Sequence, residues 1–294
     1  MNFAFSVQGL TKRYPHFHLG DLDLRLPEGQ IMGLVGVNGA GKTTLLRILT
    51  GLALPDRGQV EVLGLPMPGQ QVAVKRDLGF ASEDMRLYRS RTLRWHMDLI
   101  ARIYPGWDEA YASELLRRFD LRADQAVGGF SHGQRVKALL LLNLSRRPRL
   151  LLLDEPTTGL DPVARAEVLE ALAEVLRDEQ RSVLFSSHNT HDIEQLADTI
   201  TFLHQGRIVA SEEKERFLDL WRRIVCQGDA AFEQVDWPEV AAARRSGSLV
   251  ELKVRRFDDG IRERLAAGGL AVQSVHPMSL EDIFVTTVRT GGAA

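Results

Sequence analysis

The sequence has 294 residues, 44% of them hydrophobic, which is enough for roughly two domains with packed cores. Its formal net charge of −2 gives no overall attraction to nucleic acid or to an anionic membrane surface. The single cysteine, Cys226, excludes an internal disulfide and a cysteine-rich zinc site, and favours a reducing cytoplasm. The start shows no secretory pattern and no run of about 18 apolar residues occurs, so we expect another chain to supply any membrane span.

The first predicted elements are antiparallel strands. Apolar and polar residues alternate from Phe5 to Leu10 and again from Leu22 to Leu26. Tyr14 is predicted in the loop between them. Its ring could stack on an adenine or be a half-buried loop residue, and the local sequence favours neither.

Residues 31–48 predict a strand, a glycine-rich loop and a helix, the last starting at Lys42. Within them Gly36, Gly41, Lys42 and Thr43 fit the pattern G-x-x-x-x-G-K-[ST]. Backbone N–H groups of such a loop cradle a polyphosphate at a helix N-terminus, and its glycines let the backbone come close. Lys42 would reach the β- and γ-phosphates, and the Thr43 hydroxyl would bind Mg²⁺.

The following stretch predicts two short strands and a helical insertion. The strands are Gln59–Leu63 and Leu78–Ala81, the second of which leads to Glu83. From Leu93 to about Leu121 the apolar period is helical, with a break at Tyr104–Trp107.

Ser131 is placed as the N-cap of a long helix over Arg135–Arg146. The free N–H groups at that helix end would be available to an anion. A Gly-Ser cap without any ligand would give the same pattern.

Four leucines, Leu150–Leu153, predict a strand buried on both faces, and Asp154 and Glu155 follow it directly. Two carboxylates at that position are costly unless a metal or a reaction uses them, and ligands of open α/β sheets bind at this edge. Asp154 is therefore the expected Mg²⁺ ligand and Glu155 the residue that polarises an attacking water. The alternative is that the pair caps the next helix.

The remaining core is predicted as a helix over Ala164–Arg177, a strand over Val183–Phe185, a helix over His191–Ala197 and a hairpin over Ile200–Val209. His188 follows the strand. A lone histidine at a strand end is usually structural, but this strand ends at the same edge as Glu155, which favours a functional role.

In this order the motifs resemble those of the nucleotide-binding subunit of an ABC transporter. The five motifs are the phosphate loop at 36–44, the signature-like stretch Phe130–Gln134, the acidic strand end at 154–155, the turn Gly159-Leu160-Asp161 and the switch residue His188. The resemblance covers about residues 1–210. It implies an α/β P-loop NTPase core with an N-terminal antiparallel β subdomain and a helical insertion at about residues 84–148.

Members of this family form a head-to-tail dimer that sandwiches two ATP molecules between the phosphate loop of one copy and the signature of the other. The resemblance implies that Ser131 and the Gly133 backbone contact the γ-phosphate in trans, and that Asp161 reaches toward the opposite site. Tyr14 matches the adenine-stacking aromatic residue. His188 matches the histidine that holds the γ-phosphate and orients the water.

The site residues implied in this way form three sets. The catalytic residues are Glu155 and His188. The ATP-binding residues are Tyr14, Gly36, Asn38, Gly39, Ala40, Gly41, Lys42, Thr43, Thr44, Ser131, Gly133, Gln134 and Asp161. The magnesium ligands are Thr43, Glu83 and Asp154.

Two positions depart from the family pattern. The usual signature is Leu-Ser-Gly-Gly-Gln, whereas this chain has His132 at the first glycine, where it either faces solvent or alters the hydrolysis rate. The loop before the helical insertion usually carries glutamine, and this chain has Glu83. A carboxylate can still approach Mg²⁺, although it adds negative charge near the phosphates.

Residues 211–294 lie outside the shared core and predict a small α+β extension. Its strands are expected at Arg223–Cys226, Leu249–Val254 and Leu270–Val275. The ending Met278–Phe284 and the motif Tyr104–Asp108 resemble ABC ATPases that drive drug, antibiotic or polysaccharide-type exporters, and a generic appendage is the alternative.

The sequence thus predicts an ATPase that dimerises with a second copy, or with a homologous ATPase, around Mg·ATP. It would act at the cytoplasmic face of the membrane on a separate polytopic permease, which would contact a groove around Met85–His96; no nucleic acid is expected. Two rivals are a soluble ABC ATPase acting on ribosomes or DNA, which usually has two cores or a long coiled coil, and a small-molecule kinase, which would lack the signature.

Overall fold

The computed structural model describes residues 2–175, 181–228 and 237–291. The chain divides into two compact units. The first comprises residues 1–199 and 203–208, and the second comprises residues 200–202 and 209–294. In the described ranges no helix is both long enough and apolar enough to cross a membrane.

The first unit begins with the predicted antiparallel sheet. Its strands, in the order β2-β1-β4-β5, are β1 (Phe3–Tyr14), β2 (Phe17–Pro27), β4 (Arg57–Val62) and β5 (Leu65–Pro66). The alternating apolar side chains of β1 and β2 are buried, as expected for a sheet that packs on one face. Tyr14 is the last residue of β1 and pairs with Phe17, so its placement in a loop was wrong.

A six-stranded sheet carries the site. In the order β10-β9-β3-β8-β7-β6, its strands are β3 (Ile31–Val35), β6 (Leu78–Ser82), β7 (Leu150–Asp154), β8 (Ser182–Ser187), β9 (Thr199–His204) and β10 (Arg207–Glu213). Strands β3, β8, β7 and β6 are parallel, and all five residues of β7 are buried. Their register pairs Val35 with Ser187 and Asp154 with both Ser186 and Ser82, so the carboxyl ends of these strands share one edge.

The helices of this unit are α1 (Lys42–Leu49), α2 (Gln71–Asp77), α3 (Leu93–Ile103), α4 (Glu109–Arg118), α5 (His132–Leu144), α6 (Pro162–Val175) and α7 (Thr190–Leu196). Helices α3 and α4 confirm the helical insertion and its break. Helix α5 begins three residues earlier than predicted, because the side chain of Ser131 caps the N–H of Gln134. The predicted helix end at Arg177 lies outside the described residues.

The Tyr104–Asp108 motif attaches α4 to the end of α5. The guanidinium of Arg146 lies 3.4 Å above the centroid of the Tyr104 ring and donates hydrogen bonds to the Lys75 and Leu78 carbonyls. Asp108 caps α4 at Tyr111 and accepts two hydrogen bonds from Arg147. Burial lowers the pKa of Arg146, but a stacked arginine retains its charge.

The second unit contains α8 (Lys214–Leu220), β11 (Arg222–Gln227), β12 (Val240–Ser246), β13 (Leu249–Val254), α9 (Asp259–Ala267), β14 (Ala271–Pro277) and α10 (Leu280–Arg289). Its antiparallel sheet has the order β12-β13-β11-β14. Ile224 and Leu252 of the sheet pack with Ile261 and Leu265 of α9 in one buried cluster. Strands β11, β13 and β14 match the predicted ones, and β12 was not predicted.

Candidate active site

The phosphate loop joins β3 to α1, and its glycines are required by the backbone. Gly39 has φ +80° and Gly41 has φ +113°, conformations that side-chain-bearing residues rarely adopt. A Cβ atom on Gly41 would lie 2.7 Å from Leu19, and one on Gly36 would lie 2.5 Å from the Leu203 carbonyl oxygen. The loop therefore keeps this shape only with glycine, while its tip at residues 37–39 is exposed to solvent.

Lys42, the first residue of α1, is buried and points back into the loop. Its Nζ donates a hydrogen bond of 2.7 Å to the Gly36 carbonyl and forms an ion pair of 3.0 Å with Glu155 Oε1. The ammonium group thus lies between the phosphate loop and the acidic end of β7. Ala40 is buried and Thr44 is half-buried in the same segment.

Thr43 and Asp154 form the candidate magnesium site. The Thr43 hydroxyl donates to Asp154 Oδ2 at 2.7 Å, and the buried Ser186 hydroxyl donates to Asp154 Oδ1 at the same distance. A hydroxyl and a carboxylate are the oxygen ligands that Mg²⁺ uses beside phosphates and water, so these residues fit the ion. Within the described ranges no group of three or more His, Cys, Asp or Glu side chains could hold a metal by itself.

The Glu155 carboxylate is held by the side chains of Lys42, Thr158 and His188, and its backbone is strained. Its φ of +53° is in the left-handed region, and its N–H donates to the Ser186 hydroxyl at 3.1 Å. Oε2 accepts hydrogen bonds from the Thr158 hydroxyl at 2.9 Å and from His188 Nδ1 at 2.7 Å. Burial acts to raise the pKa of Glu155, but Lys42 and the hydrogen bonds from Lys42, Thr158 and His188 together hold it below its ordinary value of 4.5.

His188 is half exposed at the end of β8. Because Glu155 is ionised and only accepts hydrogen bonds, His188 Nδ1 must carry the proton of their hydrogen bond. That bond fixes the orientation of the imidazole ring, whose Nε2 atom is on the opposite side. The structure therefore brings the two predicted catalytic residues into direct contact.

The signature stretch is an exposed helix N-terminus. Ser131 and Gln134 cap each other: the Ser131 hydroxyl accepts the Gln134 N–H at 3.1 Å, and the Gln134 side chain accepts the Ser131 N–H at 3.0 Å. A Cβ atom on Gly133 would meet nothing closer than 3.6 Å, so the packing of this chain does not itself demand glycine there. His132 is half-buried and its Nε2 lies 2.9 Å from the Thr158 carbonyl oxygen, so of the two alternatives for this residue the structure disfavours a side chain that only faces solvent.

Three other predicted site residues lie at the surface. The Asp161 carboxylate accepts the N–H groups of residues 163 and 164 at the start of α6, and the Ala164 bond is the main cause of its lowered pKa. Tyr14 is 43% exposed, with the Lys12 ammonium 5.6 Å from its ring centroid. Glu83 is exposed after β6 and lines a cavity of about 760 Å³ together with Asp154, Glu155 and His132.

The structure also assigns contacts that sequence reasoning missed. Ser186 bridges Asp154 and the Glu155 backbone, and the register of adjacent parallel strands is the signal that could have found it. The fully buried Asp192 carboxylate accepts hydrogen bonds from the Thr157 hydroxyl at 2.6 Å and from Arg165 Nε at 2.5 Å. It thereby ties the helix after His188 to the segment after Glu155.

The geometry suits phosphoryl transfer from a nucleotide. A glycine loop and helix N-terminus, a buried lysine, an oxygen pair for Mg²⁺ and an ionised glutamate in contact with a histidine converge at one sheet edge. Such an arrangement stabilises charge on a transferring phosphoryl group and positions a water molecule for attack.

Comparison with known proteins places these features in a family. Residues 19–158 match the family described as ABC transporter. The daunorubicin resistance ATP-binding protein DrrA3 of Streptomyces coeruleorubidus is 38% identical over 214 residues, covering 70% of this chain and 67% of that protein. The Nod factor export ATP-binding protein I of Mesorhizobium japonicum is 31% identical over 294 residues, covering 96% of this chain and 86% of that protein.

An import protein and a solved structure are also similar. The methionine import ATP-binding protein MetN of Nocardia farcinica is 34% identical over 209 residues, covering 68% of this chain and 62% of that protein. The solved structure of an ATP-binding subunit of an ABC transporter is 30% identical with a TM-score of 0.65, covering 71% of this chain and 90% of that one. These matches confirm the predicted fold class, and ATP with Mg²⁺ is the predicted and confirmed cofactor pair. The chain belongs to the ABC transporter family of ATP-binding proteins and is an ATPase of the P-loop type.

Proposed function

We propose that this chain forms a head-to-tail dimer around two Mg·ATP molecules and uses their hydrolysis to drive export through a separate permease at the cytoplasmic face of the membrane. The observation that best supports the dimer is that Ser131 of the signature stretch is exposed to solvent. In the described part of the chain no hydrogen bond joins it to the cluster of Lys42, Glu155 and His188. A second copy could present Ser131 to the exposed tip of the phosphate loop.

Gly133 supports the same arrangement. Because its own chain leaves space for a Cβ atom, a glycine at this position is best explained by a group that approaches from outside. A γ-phosphate bound to the partner's loop is such a group, since it would need the backbone N–H groups at the start of α5. Asp161 is exposed and could reach the partner from the adjacent turn.

Each copy would contribute its own residues to hydrolysis. Lys42 and the N-terminus of α1 would bind the phosphates, and Glu155, ionised at neutral pH, would orient a water molecule and accept its proton. The His188 ring, oriented by its bond to Glu155, would contact the γ-phosphate. When bound at Thr43 and Asp154, Mg²⁺ would neutralise charge on the β- and γ-phosphate oxygens.

Glu155→Gln tests the dimer, because the amide keeps the shape but cannot accept a proton. We expect this variant to bind Mg·ATP, to hydrolyse it poorly and to elute as a dimer in size exclusion with light scattering. Adding Ser131→Arg should abolish that dimer without weakening ATP binding to the monomer, whereas Ser248→Arg, at an exposed turn of the second unit, should leave it intact. A monomeric Glu155→Gln chain at saturating ATP would reject the dimer, whereas full hydrolysis by that variant would remove Glu155 from the water-orienting role.

A second cavity in the first unit supports a docking place for the permease. This cavity of about 360 Å³ is lined mainly by apolar groups, among them Leu52, Met85, Leu87 and Ile100. Leu52 is 63% exposed and Met85 is 39% exposed, and because they line one groove they leave a contiguous apolar surface that a partner could cover. Met85 lies in the predicted Met85–His96 segment, and an apolar helix end of a membrane protein fits this groove.

Two matched substitutions test docking. The chain would be co-expressed with a candidate permease, a protein of about six apolar spans encoded beside it. Leu52→Glu should release the chain from the membrane fraction. Val72→Glu should not, because Val72 is 74% exposed but lies outside the groove. Equal membrane association of the two variants would exclude the groove.

Export is favoured over import by the extent of the matches. The Nod factor export protein aligns with 96% of the chain, including the second unit, whereas the methionine import protein aligns with 68%. Membrane vesicles that carry the chain and its permease should accumulate daunorubicin, used as the probe, on ATP addition only when they are inside-out. ATP-dependent accumulation in right-side-out vesicles loaded with ATP would indicate import.

A further inference from the structure

His132 occupies the position at which the family signature has a glycine, so its imidazole can make contacts that the usual residue cannot. It is the first residue of α5, and its imidazole turns back onto the segment that follows β7. Nε2 lies 2.9 Å from the Thr158 carbonyl oxygen, which can only accept, so Nε2 carries the proton. The ring also packs on Gly159, where a Cβ atom would lie 3.2 Å from Nε2.

Thr158 connects this contact to the site of hydrolysis. Its hydroxyl donates to Glu155 Oε2 at 2.9 Å, and its N–H donates to the Glu155 carbonyl at 3.2 Å. Oε2 is the same oxygen that accepts from His188. A path of covalent and hydrogen bonds therefore runs from the signature helix through Thr158 to the carboxylate that orients water.

The two ends of this path serve different nucleotides. On the proposed function, on which this inference rests, Ser131 contacts ATP held by the partner's loop, whereas Glu155 acts on ATP held by its own loop. A displacement of the N-terminus of α5 when Ser131 engages the partner's γ-phosphate would be transmitted to Thr158 by His132. Without the imidazole, the hydrogen bond that joins the start of α5 to the Thr158 carbonyl would be lost.

We propose that His132 is a positioning residue that couples the two ATP sites, by tying the signature helix of each copy to Thr158 and hence to the Glu155 carboxylate of the same copy. The imidazole acts as a hydrogen-bond donor in this role and does not touch the nucleotide. The Nε2–H group is present both in the neutral tautomer that is protonated at Nε2 and in the charged ring, so the contact does not require a change of protonation.

Three substitutions separate the hydrogen bond from size and helix effects. His132→Gln keeps a donor of similar reach, His132→Leu keeps volume without a donor, and His132→Gly restores the residue of the family pattern. We expect His132→Gln to hydrolyse ATP at near the wild-type rate. His132→Leu and His132→Gly should lower kcat by about three- to tenfold, the effect of one lost hydrogen bond, with KM changed less than twofold and a Hill coefficient nearer to 1. Melting temperatures within a few degrees of wild type would identify variants that fold.

Two results would overturn the proposal. One is a wild-type kcat and Hill coefficient in His132→Leu, and the other is an equal loss in His132→Gln and His132→Leu. The contact itself is tested without a dimer, because ¹⁵N NMR of the nucleotide-free monomer should show His132 protonated at Nε2; an Nδ1–H tautomer would also overturn it. If this NMR signature is present while Glu155→Gln fails to dimerise with ATP, the proposed function fails and the contact stands, so the two failures are distinguishable.

Discussion

Replacing Glu155 by glutamine should tighten the binding of ATP to the isolated chain. In the structure the Lys42 ammonium already has a partner, Glu155 Oε1 at 3.0 Å, and both side chains are largely buried, with 6% and 17% exposure. On the proposed function, a triphosphate would have to take Lys42 away from this carboxylate. The affinity of the wild type for ATP is therefore reduced by the free energy that the ion pair contributes to the nucleotide-free state.

The size of this effect follows from the geometry. At 3.0 Å and an effective dielectric constant of about 20, the gross attraction is on the order of 5 kcal/mol, most of which desolvation cancels. A hydrogen bond to a charged group contributes about 1.5–3 kcal/mol net, and a neutral amide oxygen retains roughly half of it. The substitution should therefore release about 0.8–1.5 kcal/mol, which makes ATP binding about four- to twelvefold tighter.

The assay is calorimetric titration with ATP in the absence of Mg²⁺, at protein concentrations where the chain is monomeric. Glu170→Gln is the matched control: Glu170 lies on α6, its side chain is 70% exposed, and it pairs with Arg118 at the surface. A surface pair contributes little, so ATP affinity should not change in this control. Equal affinities of wild type and Glu155→Gln would refute the reasoning.

A double-mutant cycle separates the ion pair from simple repulsion between Glu155 and the triphosphate. In a Lys42→Ala background no ion pair remains to be broken, so Glu155→Gln should then improve binding by much less than in the wild-type background. A gain of the same size in both backgrounds would assign the effect to repulsion and refute competition for Lys42.

Three further outcomes are expected. Lys42→Ala should weaken ATP binding in calorimetry, because the loop loses its buried cation; unchanged affinity would contradict its phosphate-binding role. Asp192→Ala should reduce the free energy of urea unfolding by about 2–4 kcal/mol, since it strands the Arg165 guanidinium, and a loss below about 1 kcal/mol would contradict this. Because the pKa of Glu155 is depressed in the folded state, its ionised form stabilises the fold at pH values above the unfolded pKa near 4.5, and this stabilisation is lost as pH falls through the folded pKa. The melting temperature of wild type should therefore exceed that of Glu155→Gln by less at about pH 4 than at pH 7. A difference that stays constant with pH would argue against this role of the ionised carboxylate.

Local sequence signals predicted the elements that carry the site. The apolar run of β7, the glycines of the phosphate loop and the cap at Ser131 are each decided by residues close together in the chain, and each appears in the structure. By contrast, β12 was missed because its residues are small or charged and half-buried or exposed. Its strand conformation comes from pairing with β13, for example Ala243 with Leu252, and sequence periodicity does not report such pairing.

The same limit applies to the polar contacts of the site. Asp192 looks like an ordinary helix-surface residue, yet it is fully buried because Thr157, 35 residues earlier in the chain, supplies a hydrogen bond and Arg165 supplies the charge. Ser186 likewise acquires its contact with Asp154 only when β8 lies next to β7. Such buried polar groups are stabilised by hydrogen-bond partners that are distant in sequence. Their roles therefore follow from the packing of strands and helices and not from the local sequence pattern.

The charged groups of the site all have partners before any nucleotide enters, so nucleotide binding would be an exchange of partners. Lys42 neutralises Glu155, while Thr43 and Ser186 donate to Asp154. On the proposed function, the triphosphate would take Lys42, and Thr43 and Asp154 would hold Mg²⁺. Glu155 would then keep the hydrogen bonds of Thr158 and His188 to its Oε2 atom. Its Oε1 atom would lose the ammonium as a partner, and a water molecule could donate to it instead. On the proposed function, ATP binding would therefore itself free the oxygen that orients the water for hydrolysis.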